Sequence, residues 1–251
     1  MAIQKTEAFV LKTMPFRSSS MIGTFFTRDF GKVRGLAKGV RDERQARAAS
    51  FELFTRLELV YYEKTRSDLH LVSDFFVLDS YGALRSRLES ITYASYFSEL
   101  LDKVCEIHDP HPELFGLLEF SFRFLSSLPG ERLSRIFEVK LLNEIGWLPF
   151  LSACLECGNP HLEQGYFSVR QGALVCPACR SKYPDAFFFG PEALKAVRHY
   201  IGHSLQEAVQ WPLSSSTEAE LEKLMTSFFN DRLDYPLKSR SFLDRIKPVL
   251  T

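Results

Sequence analysis

The sequence predicts an α+β chain, with a five-stranded barrel at the amino end and an α-helical domain that carries an inserted four-cysteine zinc module. Three observations predict it. Short strand-forming runs crowd the first 80 residues, and a three-and-four apolar period takes over after Gly82. Two C-x-x-C pairs then interrupt that period near residue 150. The 251 residues are 45% hydrophobic, enough apolar surface for more than one core. Charge balances at 31 basic against 31 acidic side chains, so attraction to a polyanion must come from a local patch.

The strands come first. Ala8–Leu11, Met21–Thr27, Val33–Ala37, Leu57–Tyr62 and Leu69–Val77 are rich in β-branched and aromatic residues. Gly23, Gly31, Gly35, Gly39 and Ser18-Ser19-Ser20 punctuate them. Five short strands in under ninety residues suggest a closed barrel of the OB type, and composition alone equally allows an SH3-like one. The helices follow. Leu84, Leu88, Ile91, Ala94, Phe97, Leu101 and Val104 share one helical face until Asp109-Pro110 breaks it. A second helix is predicted from Pro112 to Leu128 and a third from Glu131 to Gly146. Glu192–Ile201, Thr217–Phe229 and Ser241–Ile246 read as helices too, with Thr217 and Glu220 as a capping box. The expected domains are 1–80 for the barrel, 81–147 with 187–251 for the helices, and 148–186 for the inserted module.

That module holds Cys154-x-x-Cys157 and Cys176-x-x-Cys179, with eighteen residues between the pairs. The spacing matches a structural zinc site, because each tight knuckle can aim two sulfurs at one tetrahedral centre. Tyr166–Val169 and Gly172–Val175 read as the hairpin joining them. His161-x-Glu163 upstream of a C-x-x-C resembles a zinc deaminase superficially. That reading fails, because Val175 rather than Pro precedes Cys176 and because Cys154 and Cys157 would be left without a role. The fifth cysteine, Cys105, reads as a small buried hydrophobe. Reduced cysteines, no apolar run of about 18 residues and no leader-like start place the chain in the cytoplasm, outside any membrane.

Between Arg28 and Arg47 seven cations face three acids. Lys32, Arg34, Lys38, Arg41, Arg44 and Arg47 are the candidate nucleic-acid contacts, made to phosphates and indifferent to sequence. Gly35 and Gly39 would let a partner approach the backbone. Phe25, Phe26, Phe30 and Phe51 flank the stretch, either in the barrel core or stacked on unpaired bases, and the core reading is favoured. His108 and His111 read as surface histidines. Phosphate-binding glycine loops, nucleophile elbows and paired metal carboxylates are missing from the sequence, so the reading is of a protein that is not an enzyme.

Arg135–Gly158, RIFEVKLLNEIGWLPFLSACLECG, resembles the helix-to-zinc junction of the RecO family of bacterial recombination mediators. Ala8–Thr13, Thr24–Val33 and Ala37–Arg41 resemble that family's OB-fold opening, in the same order. The resemblance implies an OB-fold, a helical domain and a zinc module. It also implies binding of single- and double-stranded DNA through Lys32, Arg34, Lys38 and Arg41, annealing of complementary strands, and loading of recombinase onto strands coated by single-strand-binding protein. Its implied partners are RecR, in some members RecF, and the acidic C-terminal tail of single-strand-binding protein. For that tail, Arg132, Arg135 and Lys140 are the candidate cations. The rival reading is a zinc-ribbon adaptor that binds only protein.

Overall fold

A computed structural model of the chain describes residues 2–41, 51–160 and 162–250. The chain divides into two compact units, Met1–Gly130 with Leu237–Thr251, and Glu131–Pro236. In the first, β1 (Ile3–Phe16), β2 (Ser20–Thr27), β3 (Gly31–Ala37), β4 (Arg56–Tyr62) and β5 (Leu69–Asp79) close a barrel in the order β1-β2-β3-β5-β4. Every pairing is antiparallel except β3 with β5. This Greek-key closure is OB-like, which settles the choice that composition left open. β1 is longer than its apolar run suggested. A register shift between Val10 and Lys12 bends it, so that one strand serves both β2 and β4.

The barrel encloses Val10, Phe25, Val33, Phe51, Leu57, Leu59, Tyr61, Val72 and Phe75. Phe26 points outward but is equally dry. With Phe9 and Phe54 it lies beneath Tyr81, Phe115 and Phe122, ring centroids 4.8–6.5 Å apart. The aromatics around the basic stretch are therefore packing residues, and Phe30 leans on the same core. α1 (Leu88–Val104), α2 (Pro112–Phe124) and α7 (Lys238–Leu250), grouped in the sequence reading with the other helices, cluster here with the barrel. Pro112 opens α2, where its missing N–H costs nothing. The Glu99 carboxylate accepts the N–H groups of Lys238 and Ser239 and so caps α7.

The second unit contains α3 (Gly130–Glu144) from Glu131 onward, then β6 (Gly165–Ser168), β7 (Ala173–Val175) and β8 (Phe187–Phe189) in the order β7-β6-β8. α4 (Pro191–Gly202), α5 (Leu205–Gln210) and α6 (Ser215–Arg232) complete it. The expected capping box at Thr217 is not formed. Ser214 is the N-cap of α6, accepting from the Thr217 N–H at 3.2 Å, and Glu220 accepts from the Gly190 N–H at 2.6 Å instead. A capping box does form on α5, between Ser204 and Glu207. Among the described residues no helix is long and apolar enough to cross a membrane.

Candidate nucleic-acid face and metal centre

Strand register assembles the basic face. Lys12, Thr24, Arg34 and Leu69 are successive partners across β1, β2, β3 and β5, and Met14, Ile22, Leu36 and Leu71 form the next outward row. The chain leaving β3 carries Lys38 and then Arg41, whose N–H donates to the Ser19 carbonyl in the β1–β2 turn at 2.9 Å. Arg17 lies in that turn. Among the described residues Lys12, Arg34, Lys38 and Arg41 make no ion pair, and all four are exposed. Three cations on β1, the β2–β3 turn and β4 are matched. Arg28 reaches Glu7 at 3.1 Å, Arg56 reaches Glu119 at 2.6 Å, and Lys5 reaches Glu58 at 3.0 Å.

Lys32 shares the outward parity of Arg34 but does not join the open face. It is 9% exposed, with Nζ donating to the Asp102 carbonyl at the end of α1 and lying 3.7 Å from the Asp102 carboxylate. The expectation that Lys32 faces phosphate is thereby corrected, because the α1 terminus covers the start of β3. Gly35 likewise serves the core. A Cβ there would stand 2.5 Å from Val72, so its smallness makes room for packing rather than for a partner. Arg44 and Arg47 lie outside the described residues. Lys12 was missed for want of register, since it sits some twenty residues before its neighbour Arg34 in sequence. Arg17, Lys64 and Arg66, in the β1–β2 and β4–β5 turns, were missed because isolated cations carry no pattern.

The helical cations behave differently. Arg135 is 4% exposed and pairs with the fully buried Glu138 at 2.9 Å, so it is withheld from any surface groove, a second correction. Its place on α3 explains this, since Leu133, Ile136, Phe137, Val139, Leu141 and Leu142 leave that helix buried on nearly every side. Arg132 stands 3.9 Å from Glu218, and Lys140 donates to the His203 carbonyl at 2.7 Å. Exposed Trp147 and Phe150 flank grooves along Leu148-Pro149, one of them closed by Phe228 and Arg232.

The four cysteines of the two knuckles meet as the spacing requires. Their sulfurs all lie within 4.8 Å of one another, and the Cys157 and Cys176 sulfurs are 3.9 Å apart. A tetrahedral ion with bonds of about 2.3 Å sets sulfurs about 3.8 Å apart, so the donor set fits a zinc-sized metal. The sheet explains the convergence. Phe150 bridges Ala173, and the Leu155 N–H donates to the Leu174 carbonyl, which lays the first knuckle beside β7. The second knuckle follows directly on β7. Gly158, at φ +72°, closes the first turn in the left-handed region. Glu156 joins the knuckles, accepting from the Tyr183 hydroxyl at 2.8 Å and from Lys182. Burial opposes ionisation of Cys154, but the N–H groups of Cys157, Cys176 and Glu156 outweigh it and hold its thiol below the ordinary range. Four thiolates also fill a tetrahedral shell, leaving no open position for catalysis. Cys105 is buried as expected, and burial pushes its thiol up to about 12.

An OB-like barrel with an open cationic row, in a chain whose second unit brings four cysteine sulfurs to one centre, defines a class of barrel proteins that carry a helical unit with a metal-type module. Family models for the amino- and carboxy-terminal parts of recombination protein O match residues 1–81 and 85–241. Relatives named DNA repair protein RecO include that of Syntrophus aciditrophicus, 33% identical over 254 residues, covering 98% of this chain and 97% of the relative. That of Anaeromyxobacter dehalogenans strain 2CP-C is 32% identical over 248 residues and covers 98% of each. That of Halalkalibacterium halodurans is 28% identical over 246 residues, covering 98% of this chain and 96% of the relative. The chain belongs to the RecO family and is a DNA repair protein of that family.

Proposed function

We propose that this chain binds single- and double-stranded DNA without sequence preference along the β1-β2-β3 face of its barrel, and anneals complementary strands there. The observation that carries the reading is the unpaired row of Lys12, Arg34, Lys38 and Arg41 in a molecule whose formal net charge is zero. Barrels of this type take oligonucleotides on that face and between the two turns that carry Arg17, Lys64 and Arg66. The apolar row of Met14, Leu36 and Leu71, between Arg34 and Lys38, offers a surface for base faces while the flanking cations meet phosphates.

In this reading the helical unit recruits partners. RecR, with RecF in some settings, and the acidic tail of single-strand-binding protein are the proposed ones, and the outcome is loading of recombinase onto coated strands. Arg132 and Lys140 remain candidates for the tail, and the Trp147–Phe150 grooves with Arg198 and Arg232 offer it apolar surface and charge. The four cysteines hold one structural zinc ion. No step makes or breaks a covalent bond, so the chain acts as a binder and not as an enzyme.

The test is the salt dependence of binding to a single-stranded oligonucleotide. Five neutralised phosphates give a log–log slope of about −3.5. Replacing Arg34, Lys38 and Arg41 by Ala should flatten it by about 2. Binding absent at low salt, or a slope unchanged in the triple variant, would overturn the reading in favour of a protein-only adaptor. Annealing assayed with single-strand-binding protein, tail present or deleted, separates the DNA role from the partner role.

A further inference from the structure

His70, at the inner mouth of β5, is 1% exposed and stacks on Tyr61 at 5.3 Å between centroids. Its Nε2 lies 3.4 Å from Nε2 of His108, in the segment that joins α1 to α2. That segment lies against the start of β3 through a single parallel bridge. Ile107 bridges Lys32, and the His108 N–H donates to the Lys32 carbonyl at 3.1 Å. Gly31 lets it in. At φ +64° it turns the chain, and a Cβ there would stand 2.2 Å from the Asp109 carbonyl oxygen. His108 itself holds φ +62°, a conformation that the remaining structure must enforce.

The protons on the two rings can be assigned. The Lys64 N–H donates to Nδ1 of His70 at 3.1 Å, so Nδ1 is an acceptor and the proton sits on Nε2. Nε2 of His70 then donates, and Nε2 of His108 accepts. Two imidazole nitrogens on a tetrahedral metal also stand about 3.4 Å apart. The Lys64 contact excludes that use, because a ring ligating through Nε2 would carry its proton on Nδ1, against another N–H. A proton added to His108 removes the acceptor; one added to His70 meets the Lys64 N–H. Only the first opens the contact between the rings, because a protonated His70 still donates from Nε2 to His108.

We propose that His70 and His108 form a proton-operated latch that holds residues 105–111 across the end of the barrel and releases them when Nε2 of His108 takes up a proton. The charged and titratable groups around it are Tyr61, Glu63, Lys64 and Asp68 on β4 and the β4–β5 turn. Cys105, Asp109 and His111 lie on the segment itself, with Asp102 on α1 and Lys32 on β3. Burial and the neighbouring His108 lower the proton affinity of His70, and Glu63 and Asp68 offset this in part. The sign follows. The latched form needs a neutral acceptor ring, so it is favoured fully above the ordinary imidazole pKa of about 6.5 and loses ground as pH falls below it.

Hydrogen exchange of the whole protein tests this without reference to DNA. The protection factor of the His108 amide should be constant above about pH 7.5. Below about pH 6.5 it should fall by up to about tenfold per pH unit, the limit for one linked proton. His108→Asn keeps a residue that tolerates the left-handed backbone and removes the ring; it should show low protection at every pH. Protection flat with pH in the wild type, or high protection retained in His108→Asn, would overturn the latch. So would ring nitrogen resonances at about pH 8 that place the His70 proton on Nδ1.

Discussion

In the barrel, five strands close on themselves, leave no edge and enclose an aromatic core. In the metal module, three strands of four, three and three residues form a sheet with far too little apolar surface to persist alone. The barrel is stabilised by many small terms spread over its interior. With the proposed zinc bound, the module would concentrate its stability in one centre where four sulfurs converge. The lesson is that similar damage has different reach in the two places, being graded in the barrel and all-or-none in the module.

The largest expected effect follows from that contrast. Structural zinc contributes an apparent ~10–16 kcal/mol in small modules. Replacing Cys176 by Ser, or stripping the metal with a chelator, should therefore abolish amide protection across residues 150–189 while β1–β5 keep theirs. Metal content and solubility should fall together. Unchanged protection in the metal-free protein would place the module's stability in its sheet instead. Acidification sharpens the same test, because thiolates must be deprotonated to bind and release of the ion should precede unfolding of the barrel.

Next is the barrel itself. Phe25→Ala empties a fully buried site against Phe51 and should cost ~3–5 kcal/mol, read as a lowered denaturation midpoint. Metal content should stay at one ion per chain. Loss of metal in this variant would show that the two regions do not fold separately.

Similar in size is the buried ion pair of the second unit. Arg135→Met removes a charged partner of the buried Glu138 carboxylate and should cost ~3–5 kcal/mol, whereas Arg135→Met with Glu138→Leu should recover most of that loss. Denaturant unfolding of both variants decides it, and equal losses would mean that the pair contributes nothing as a pair.

Arg135 also shows where the sequence is legible and where it is not. The cysteines could be read because a tetrahedral centre demands a fixed local spacing, and both knuckles are local. The barrel could be read because strand composition is local too. Arg135 and Lys32 could not, because a cation's environment depends on which remote element covers it: Glu138 on a helix buried nearly all round, and the end of α1 over β3. Lys12 was illegible for the converse reason, since only register brings it beside Arg34. The capping box went astray on a smaller scale. The Ser-x-x-Glu pattern occurs at Ser204 and the Thr-x-x-Glu pattern at Thr217, and the carboxylate of Glu220 was claimed by Gly190, thirty residues away. His108, read as a surface residue, is exposed yet engaged, because its partner lies on a strand 38 residues earlier.

The smallest effect belongs to the cap that does form. The Ser204 side chain accepts from the Glu207 N–H at 3.3 Å, and Glu207 accepts from the Ser204 N–H at 2.9 Å. α5 has only six residues, too few to hold itself by propensity, so the reciprocal bonds count for much of its definition. Ser204→Ala should cost ~1 kcal/mol. The Ser204 hydroxyl and N–H lower the pKa of Glu207, so its contribution is present above the ordinary carboxylate value and is lost as pH falls through the depressed one. The difference between wild type and Ser204→Ala, measured by denaturant unfolding, should therefore shrink from about pH 7 to about pH 3. A difference constant across that range would assign the whole effect to the hydroxyl's bond to the Glu207 N–H and none to the carboxylate.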